Sequence, residues 1–430
     1  MNEQMSLSHL VEALRTGQKP LAVYLDELEA RFAAREAEVL AFVPEDGRFA
    51  RLRQEAAQLA QTYPDPQQRP PLFGVPVAVK DIFHVDGFVT RAGCRLPAAL
   101  LQGDESPLVT QLRTLGALIL GKTVTTEFAF FAPGPTRNPH NLAHTPGGSS
   151  SGSAAAVAAG LAPLALGSQT IGSINRPAAY CGVVGFKPSY ERLTKAGVLP
   201  LSPSADTVGL FTADVAGMIT AVTPLLAHEP RTVSRPTLGI PLGPYLEQAT
   251  AVALAHFEET VARLAAAGFP VRRVPVMADF ARIDALHRDL VAAEAAQVHA
   301  IWYAQHASLY HAKTADLIEK GRKITPERMR ESLNNRSVLR SALQTAMDAE
   351  GIDLWLSPPA PGTAPVGLES TGDPVMNLPW THAGMPTLTL PVSFAANGLP
   401  LGLQLAARFG ADEALLPWAL QLEAALRGAS

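Results

Sequence analysis

Lys80 lies in Val75-Pro-Val-Ala-Val-Lys-Asp-Ile-Phe83, an otherwise largely apolar run. Lysine is almost never fully buried without a partner. Burial disfavours its charged form and can lower its pKa by several units, which makes it a usable base. The competing reading is a strand-end lysine whose head reaches water past Asp81. A second cluster is Pro146-Gly-Gly-Ser-Ser-Ser-Gly-Ser153. It runs straight into Ala154-Ala-Ala-Val-Ala-Ala159, unlike a linker. It also lacks the lysine of a phosphate-binding loop. Within it, Gly148-Ser-Ser-Ser-Gly152 matches the G-x-S-x-G elbow with Ser150 as nucleophile. That motif needs a strand just before it, and Arg137 to Pro146 is a poor strand.

The third segment is Gly167-Ser-Gln-Thr-Ile-Gly-Ser-Ile-Asn-Arg-Pro-Ala178. Consecutive backbone N–H groups ahead of a serine can stabilise an oxyanion. The same residues also suit a strand-to-helix turn packed in a core. His140 and His144 are four apart, but Asn141 stands where a metalloprotease helix carries glutamate, and the nearby prolines oppose that helix.

Several elements must position these groups. The first 60 residues read as helices, with Ser8 a candidate cap and apolar residues recurring over Leu21 to Ala34. Gly74 to Phe83 reads as a buried strand, Ser106 to Leu115 as a helix and Gly116 to Gly121 as the next strand. This alternation points to an α/β class. Residues 132–153 read as loop, Ser153 to Ala159 as a tightly packed helix, and Leu164 to Gly167 as a short strand. Ser168 to Gly185 reads as small and turn residues. Further on, Leu238 to Ile240 and Val271 to Val276 look like strands around a helix that Gly268 can end. Residues 283–349 read as two or three long helices, and strand runs return over Leu354 to Pro365 and Met385 to Leu405.

Composition narrows the class. Hydrophobic residues make up 47% of the 430 and charged residues 17%, so the chain can bury a large core and is not disordered. The net charge is −4 and no long basic block exists, which argues against a nucleic-acid surface. Cys94 and Cys181 form neither a disulfide framework nor a zinc spacing and fit a reducing cytoplasm. The first 14 residues lack the basic start and apolar centre of a signal peptide. The most apolar stretch, Ala154 to Leu166, is too short to span a bilayer, which takes about 20 residues.

Taken together, the three clusters resemble the amidase signature family. The order of Gly/Ser cluster, small helix, second serine turn and Cys181-Gly-Val-Val-Gly-Phe-Lys-Pro188 is highly specific. Val79-Lys-Asp, Gly121-Lys-Thr, Thr136-Arg-Asn-Pro, Gly384-Met-Pro and Gly398-Leu-Pro-Leu-Gly-Leu-Gln404 extend the likeness over nearly the whole chain. The resemblance implies one large α/β/α domain over 1–430 around a mixed sheet. Its parts are N-terminal helices (1–60), a signature core (72–215) and the rest of the sheet (236–430) with a helical insert at 280–350.

It further implies a Ser–cisSer–Lys triad. By position the base is Lys80, the bridging serine Ser149 after a cis Gly148–Ser149 peptide, and the nucleophile Ser173. The backbone N–H groups of Thr170, Ile171, Gly172 and Ser173 would form the oxyanion hole, where one donor is typically worth about 2.7–4 kcal/mol. Ser150 then becomes a neighbour of the site, and Ser150, Gln169 and Arg176 are the residues expected to contact the substrate. No cofactor or metal is implied. The expected partner is a small amide, with no nucleic acid and no membrane, and a homodimer is compatible.

Three positions depart from the usual G-[ST]-D-T-G-G-S-[IV]-R turn: Gln169, Ile171 and Asn175, with arginine one place late at Arg176. A β-branched residue at 171 resists positive φ. Gln169 and Arg176 resemble the malonamidase branch, which implies that Arg176 grips a substrate carboxylate, or else serves as a structural arginine paired with a nearby acid. Two alternatives of different class are the glutaminase component of a tRNA-dependent amidotransferase and a catalytically retired relative. Against the first, Tyr190-Glu-Arg replaces the usual Y-G-R; against the second, all three triad positions are filled. Residues 280–350 and 359–382, variable in the family, are expected to line the substrate pocket.

Overall fold

Among the described residues, ten strands form one mixed sheet at the centre of the fold. They are β1 (Pro76–Lys80), β2 (Leu118–Thr123), β3 (Leu164–Gln169), β4 (Val184–Lys187), β5 (Thr207–Thr212), β6 (Leu238–Leu242), β7 (Val271–Pro275), β8 (Leu354–Ser357), β9 (Thr387–Phe394) and β10 (Pro400–Ala407). Their order across the sheet is β2-β1-β3-β5-β4-β9-β10-β8-β6-β7. β1 runs parallel to both β2 and β3, and β6 parallel to β7 and β8. The strands between are joined by antiparallel pairs. The structure is a computed structural model and describes residues 6–227 and 233–428.

Strands covered on both faces read as continuous apolar runs rather than alternating ones. β1, β2 and β3 fit this: every residue in them is buried. One side of the sheet packs against the N-terminal helices through Leu25, Leu28, Leu52 and the alanines of the helix Ser151–Ala158. The C-terminal helix Asp412–Gly428 and the helices Val215–Leu226 and Ala251–Ala266 share another core with β6, β8 and β10. The helix–sheet–helix layering makes one α/β domain, as the resemblance implied.

The elements differ from the sequence reading in a few places. The first helix spans Leu7–Thr16, so Ser8 lies inside it and Ser6 holds the cap position. The small-residue helix starts at Ser151, two residues early. The segment read only as turns, 168–185, contains the buried helix Asn175–Cys181. Pro177 and three small or polar neighbours hide its period, and burial rather than propensity makes it helical. The insert holds four α-helices, Phe280–Val298, Ala300–His306, Ala312–Gly321 and Pro326–Glu350. No described helix is long and apolar enough to cross a membrane.

Candidate active site

Lys80 is the last residue of β1, and Ser168 and Gln169 are the last of β3 beside it. Ligands of open α/β sheets gather outside the carboxyl ends of parallel strands, and these residues stand at that edge. The Lys80 side chain is wholly buried. Its Nζ lies 2.7 Å from Ser149 Oγ, 2.9 Å from Ser168 Oγ and 3.4 Å from the Ser168 carbonyl. No carboxylate pairs with it among the described residues. Burial pushes its pKa down to about 7, against the opposing charge of Asp206. A neutral amine has two N–H donors and one lone pair. The two donors suit the Ser168 oxygens, and the lone pair is left to accept the Ser149 hydroxyl proton.

Ser149 follows a cis peptide from Gly148. Gly147, just before, adopts φ +82°, and a Cβ there would lie 2.9 Å from Pro177 Cα, so only glycine fits. The turn is held from below by Ser151 Oγ on the Gly147 carbonyl at 2.8 Å and by Arg176 Nη2 on the Gly148 carbonyl at 2.6 Å.

Ser173 lies in the turn between β3 and the helix Asn175–Cys181. Together with Thr170, Ile171, Gly172 and Arg176 it lines a small pocket. The carbonyls of this turn are anchored from behind. His287 Nε2 lies 3.0 Å from the Thr170 carbonyl, and Thr381 Oγ1 donates to the Ile171 carbonyl at 2.7 Å. In a trans peptide the next N–H points opposite to the carbonyl. The Ile171 and Gly172 N–H groups therefore face away from these anchors. Among the described residues, the N–H groups of Ile171, Gly172 and Ser173 have no acceptor. A Cβ on Gly172 would come within 2.3 Å of Asn377 Oδ1, so this position also admits only glycine. Ile171 keeps a negative φ, so its β-branch meets no conflict in the turn.

Other residues singled out in the sequence have structural partners. Gln169 is buried away from the pocket: its Oε1 accepts the Ile174 and Asn175 N–H groups at 2.8 and 2.9 Å, and its Nε2 reaches Thr381 Oγ1 at 2.9 Å. Ser150 Oγ donates to the Ser168 carbonyl at 3.1 Å. Among the described residues Arg176 forms no ion pair with an acid. Its Nη1 donates to the Gly372 carbonyl at 2.8 Å and its Nη2 also reaches Thr371 Oγ1 at 3.1 Å, while Nε is buried without an acceptor. Burial lowers its pKa to about 10. His140 and His144 go apart, one to the Cys181 carbonyl and the other to that of Ala364.

Four supporting residues escaped the sequence reading. Ser168 completes the environment of Lys80. Asp206 accepts from Thr170 Oγ1 at 2.5 Å and from the Leu201 and Ser202 N–H groups. His287 and Thr381 anchor the nucleophile turn from the insert and from the helix Leu378–His382. Ser168 sits within the quoted motif and was in reach. The others lie 36 to 212 residues away from their partners in the 169–171 segment, and no local pattern marks them. Outside the small pocket, an open cleft of about 480 Å³ is lined by Arg288, Lys313, Asp316 and residues 370–374. These fall in the two segments expected to shape the substrate pocket.

A buried amine on hydroxyl groups, beneath a serine turn with free N–H donors, has the chemistry to activate a serine hydroxyl towards a carbonyl carbon. Comparisons define the class. The family model described as Amidase matches residues 30–416, so the chain belongs to the amidase family. An amidase of known structure is 32% identical with a TM-score of 0.88, the match covering 97% of this chain and 99% of that one. A peptide amidase in complex with chymostatin is 25% identical with a TM-score of 0.83, over 99% and 98% of the two chains. A component of the glutamyl-tRNA(Gln) amidotransferase of Synechococcus sp. (strain RCC307) is 31% identical, with 96% of each chain covered. The protein is a hydrolase of carbon–nitrogen amide bonds.

Proposed function

We propose that the enzyme hydrolyses a small-molecule carboxamide to a carboxylate and ammonia through an acyl–Ser173 intermediate. The observation that carries this is the 2.7 Å approach of Lys80 Nζ to Ser149 Oγ at a fully buried position. A base can activate a serine only from the neutral form, and burial supplies that form near pH 7. Neutral Lys80 takes the Ser149 proton while Ser149 takes the Ser173 proton. Ser173 Oγ then attacks the amide carbon. The N–H groups of Ile171, Gly172 and Ser173, with Thr170 shaping the turn, hold the oxyanion. Ser149 returns the proton to the departing nitrogen. Water cleaves the ester by the same relay.

Arg176 in this reading positions the site. Its guanidinium ties the Gly148 carbonyl to the 371–372 loop. The substrate carboxylate implied by the resemblance has the Nε–H and one Nη1 proton left to meet. A matched pair of acid-bearing and neutral amides measures that preference: a kcat/KM ratio that collapses in Arg176→Ala supports it, and an unchanged ratio removes it.

The triad is tested by trapping with a serine-reactive phosphonate. Adduct on Ser173 in the native enzyme, and its loss in Lys80→Ala, are expected. An adduct on Ser150 would overturn the assignment.

A second reading has support from the 31% identity to the amidotransferase component over 96% of the chain. In it, glutamine is the amide and ammonia passes to a partner protein. Glutaminase activity that appears only with a co-purifying protein would favour it over free amide hydrolysis.

A further inference from the structure

The Thr170 carbonyl and the Ile171 N–H belong to one peptide group. The carbonyl meets His287 Nε2 at 3.0 Å, and the N–H faces the opposite way. Behind His287 stands a second ring. His287 Nδ1 lies 3.2 Å from His382 Nδ1, with the ring planes at 89°. Both rings are wholly buried. They come from different helices, Phe280–Val298 and Leu378–His382. A third helix, Pro326–Glu350, brings the Asn335 amide to His382, with Oδ1 3.1 Å from Nε2.

The proton positions follow from the end of this chain. A carbonyl only accepts, so His287 carries its proton on Nε2. A neutral His287 then has a lone pair on Nδ1, and His382 donates to it from its own Nδ1. His382 Nε2 is left to accept, which turns the Asn335 amide over so that its nitrogen faces the ring; the two amide atoms are alike in outline. Burial pushes the His382 ring down to about 3 and His287 well below the usual histidine value. The charged groups acting on the pair are cations, Arg336 on both rings and Arg288 on His287, and they disfavour a further proton.

Hydrogen bonds in series polarise one another, by about 10–30% per bond. A donor on the Thr170 carbonyl therefore strengthens the Ile171 N–H of the same peptide. The neighbour of His382 does the same for the next peptide: Thr381 Oγ1 donates to the Ile171 carbonyl at 2.7 Å.

We propose that His382 is a positioning residue for the oxyanion hole that acts through His287: the two neutral rings form a one-way chain of N–H donors that ends on the Thr170 carbonyl and aims and polarises the Ile171 N–H. This rests on the Ser173 reading proposed above. His382 touches neither the turn nor the pocket, and the chain gives it an effect on the transition state alone.

The test reads the second-order rate at which the serine-reactive phosphonate labels Ser173, which requires the oxyanion hole and no identified substrate. An amide side chain imitates one histidine nitrogen: Asn places its NH₂ near Nδ1 and Gln near Nε2. His382→Phe should slow labelling about tenfold, His382→Asn should restore it to within about threefold of native, and His382→Gln should stay slow. The pattern is reversed at the other ring: His287→Gln should restore labelling that His287→Phe and His287→Asn lose. A merely structural role gives losses that follow Tm and ignore where the NH₂ sits, and that result overturns the proposal, as does undiminished labelling in His382→Phe. A measurement on the native enzyme covers variants that fail to fold. Spectra of ¹⁵N-histidine-labelled enzyme at pH 7 should show an Nδ1–H···Nδ1 coupling between two neutral rings, and a doubly protonated ring in that pair overturns the chain. Absence of label at Ser173 in the native enzyme overturns the Ser173 reading instead.

Discussion

Lys80 and Lys187 end two strands of the same sheet, both wholly buried. Burial pushes each pKa to about 7. Their surroundings differ in one respect. Lys80 faces two hydroxyls, of Ser149 and Ser168. Lys187 Nζ donates to the carbonyls of Met385 at 2.6 Å and Pro188 at 3.0 Å. A carbonyl has no proton to give, so Lys187 has nothing to act on as a base. A third buried lysine, Lys122, is 2.8 Å from the Asp81 carboxylate and donates to the Phe83 carbonyl at 2.7 Å. Ion pairing there opposes the effect of burial. A shifted pKa alone thus marks no catalytic lysine; the partner atoms decide.

This contrast can be broken in order of effect. Lys80→Ala and Ser173→Ala should abolish most turnover, with a loss of about 10²–10⁴-fold expected for the general base alone. Far-UV circular dichroism should show the fold intact. An active Lys80→Ala would remove the distinction between the lysines. Lys122→Met leaves the Asp81 carboxylate buried without its cation. Breaking one partner of a buried pair costs about 3–5 kcal/mol, read as a lower denaturant midpoint.

The pH profile separates the roles next. The working form of Lys80 is neutral, so kcat/KM should fall about tenfold per pH unit below about 7 and level off above it. The linked stability has a definite sign. A lysine with a lowered folded pKa binds its proton more readily when unfolded. Stability should therefore rise with pH from about 7 towards the free lysine value near 10.4. Lys80→Met should flatten part of this rise, measured by denaturant melts at several pH values.

Lys187→Met strands two carbonyls, at about 1–3 kcal/mol for a buried group left unsatisfied. It should lower Tm while the pH limb of activity stays near 7. A displaced limb would mean that Lys187 titrates with the chemistry. Ser150→Ala removes a hydrogen bond worth about 1 kcal/mol and should keep measurable turnover. Its inactivity would return the nucleophile to the G-x-S-x-G reading.

Much of this contrast was legible in the sequence for Lys80 and not for Lys187. A lysine within an apolar run stands out by pattern, and the two serine clusters stand out by composition. Lys187 sits in a run of the same kind, Val184-Gly-Phe-Lys, yet nothing local says which atoms meet its amine. The helix Asn175–Cys181 was missed because it is short, holds Pro177 and is stabilised by burial. Gln169 looked like a substrate contact because it replaces an acid in a motif; its side chain instead caps the helix after Ser173.

The sequence by itself determined the class. Its apolar runs set the buried strands, its glycines allow the turns where backbones approach, and its lysine and serine clusters carry the chemistry. Only the tertiary structure decided how those groups act. Lys80 and Ser149 are 69 residues apart, and Thr381 and Ile171 are 210 apart. Proton affinity depends on burial and on partner atoms within a few ångströms, and N–H direction depends on what holds each carbonyl from behind. Both are properties of packing, which chain order does not contain.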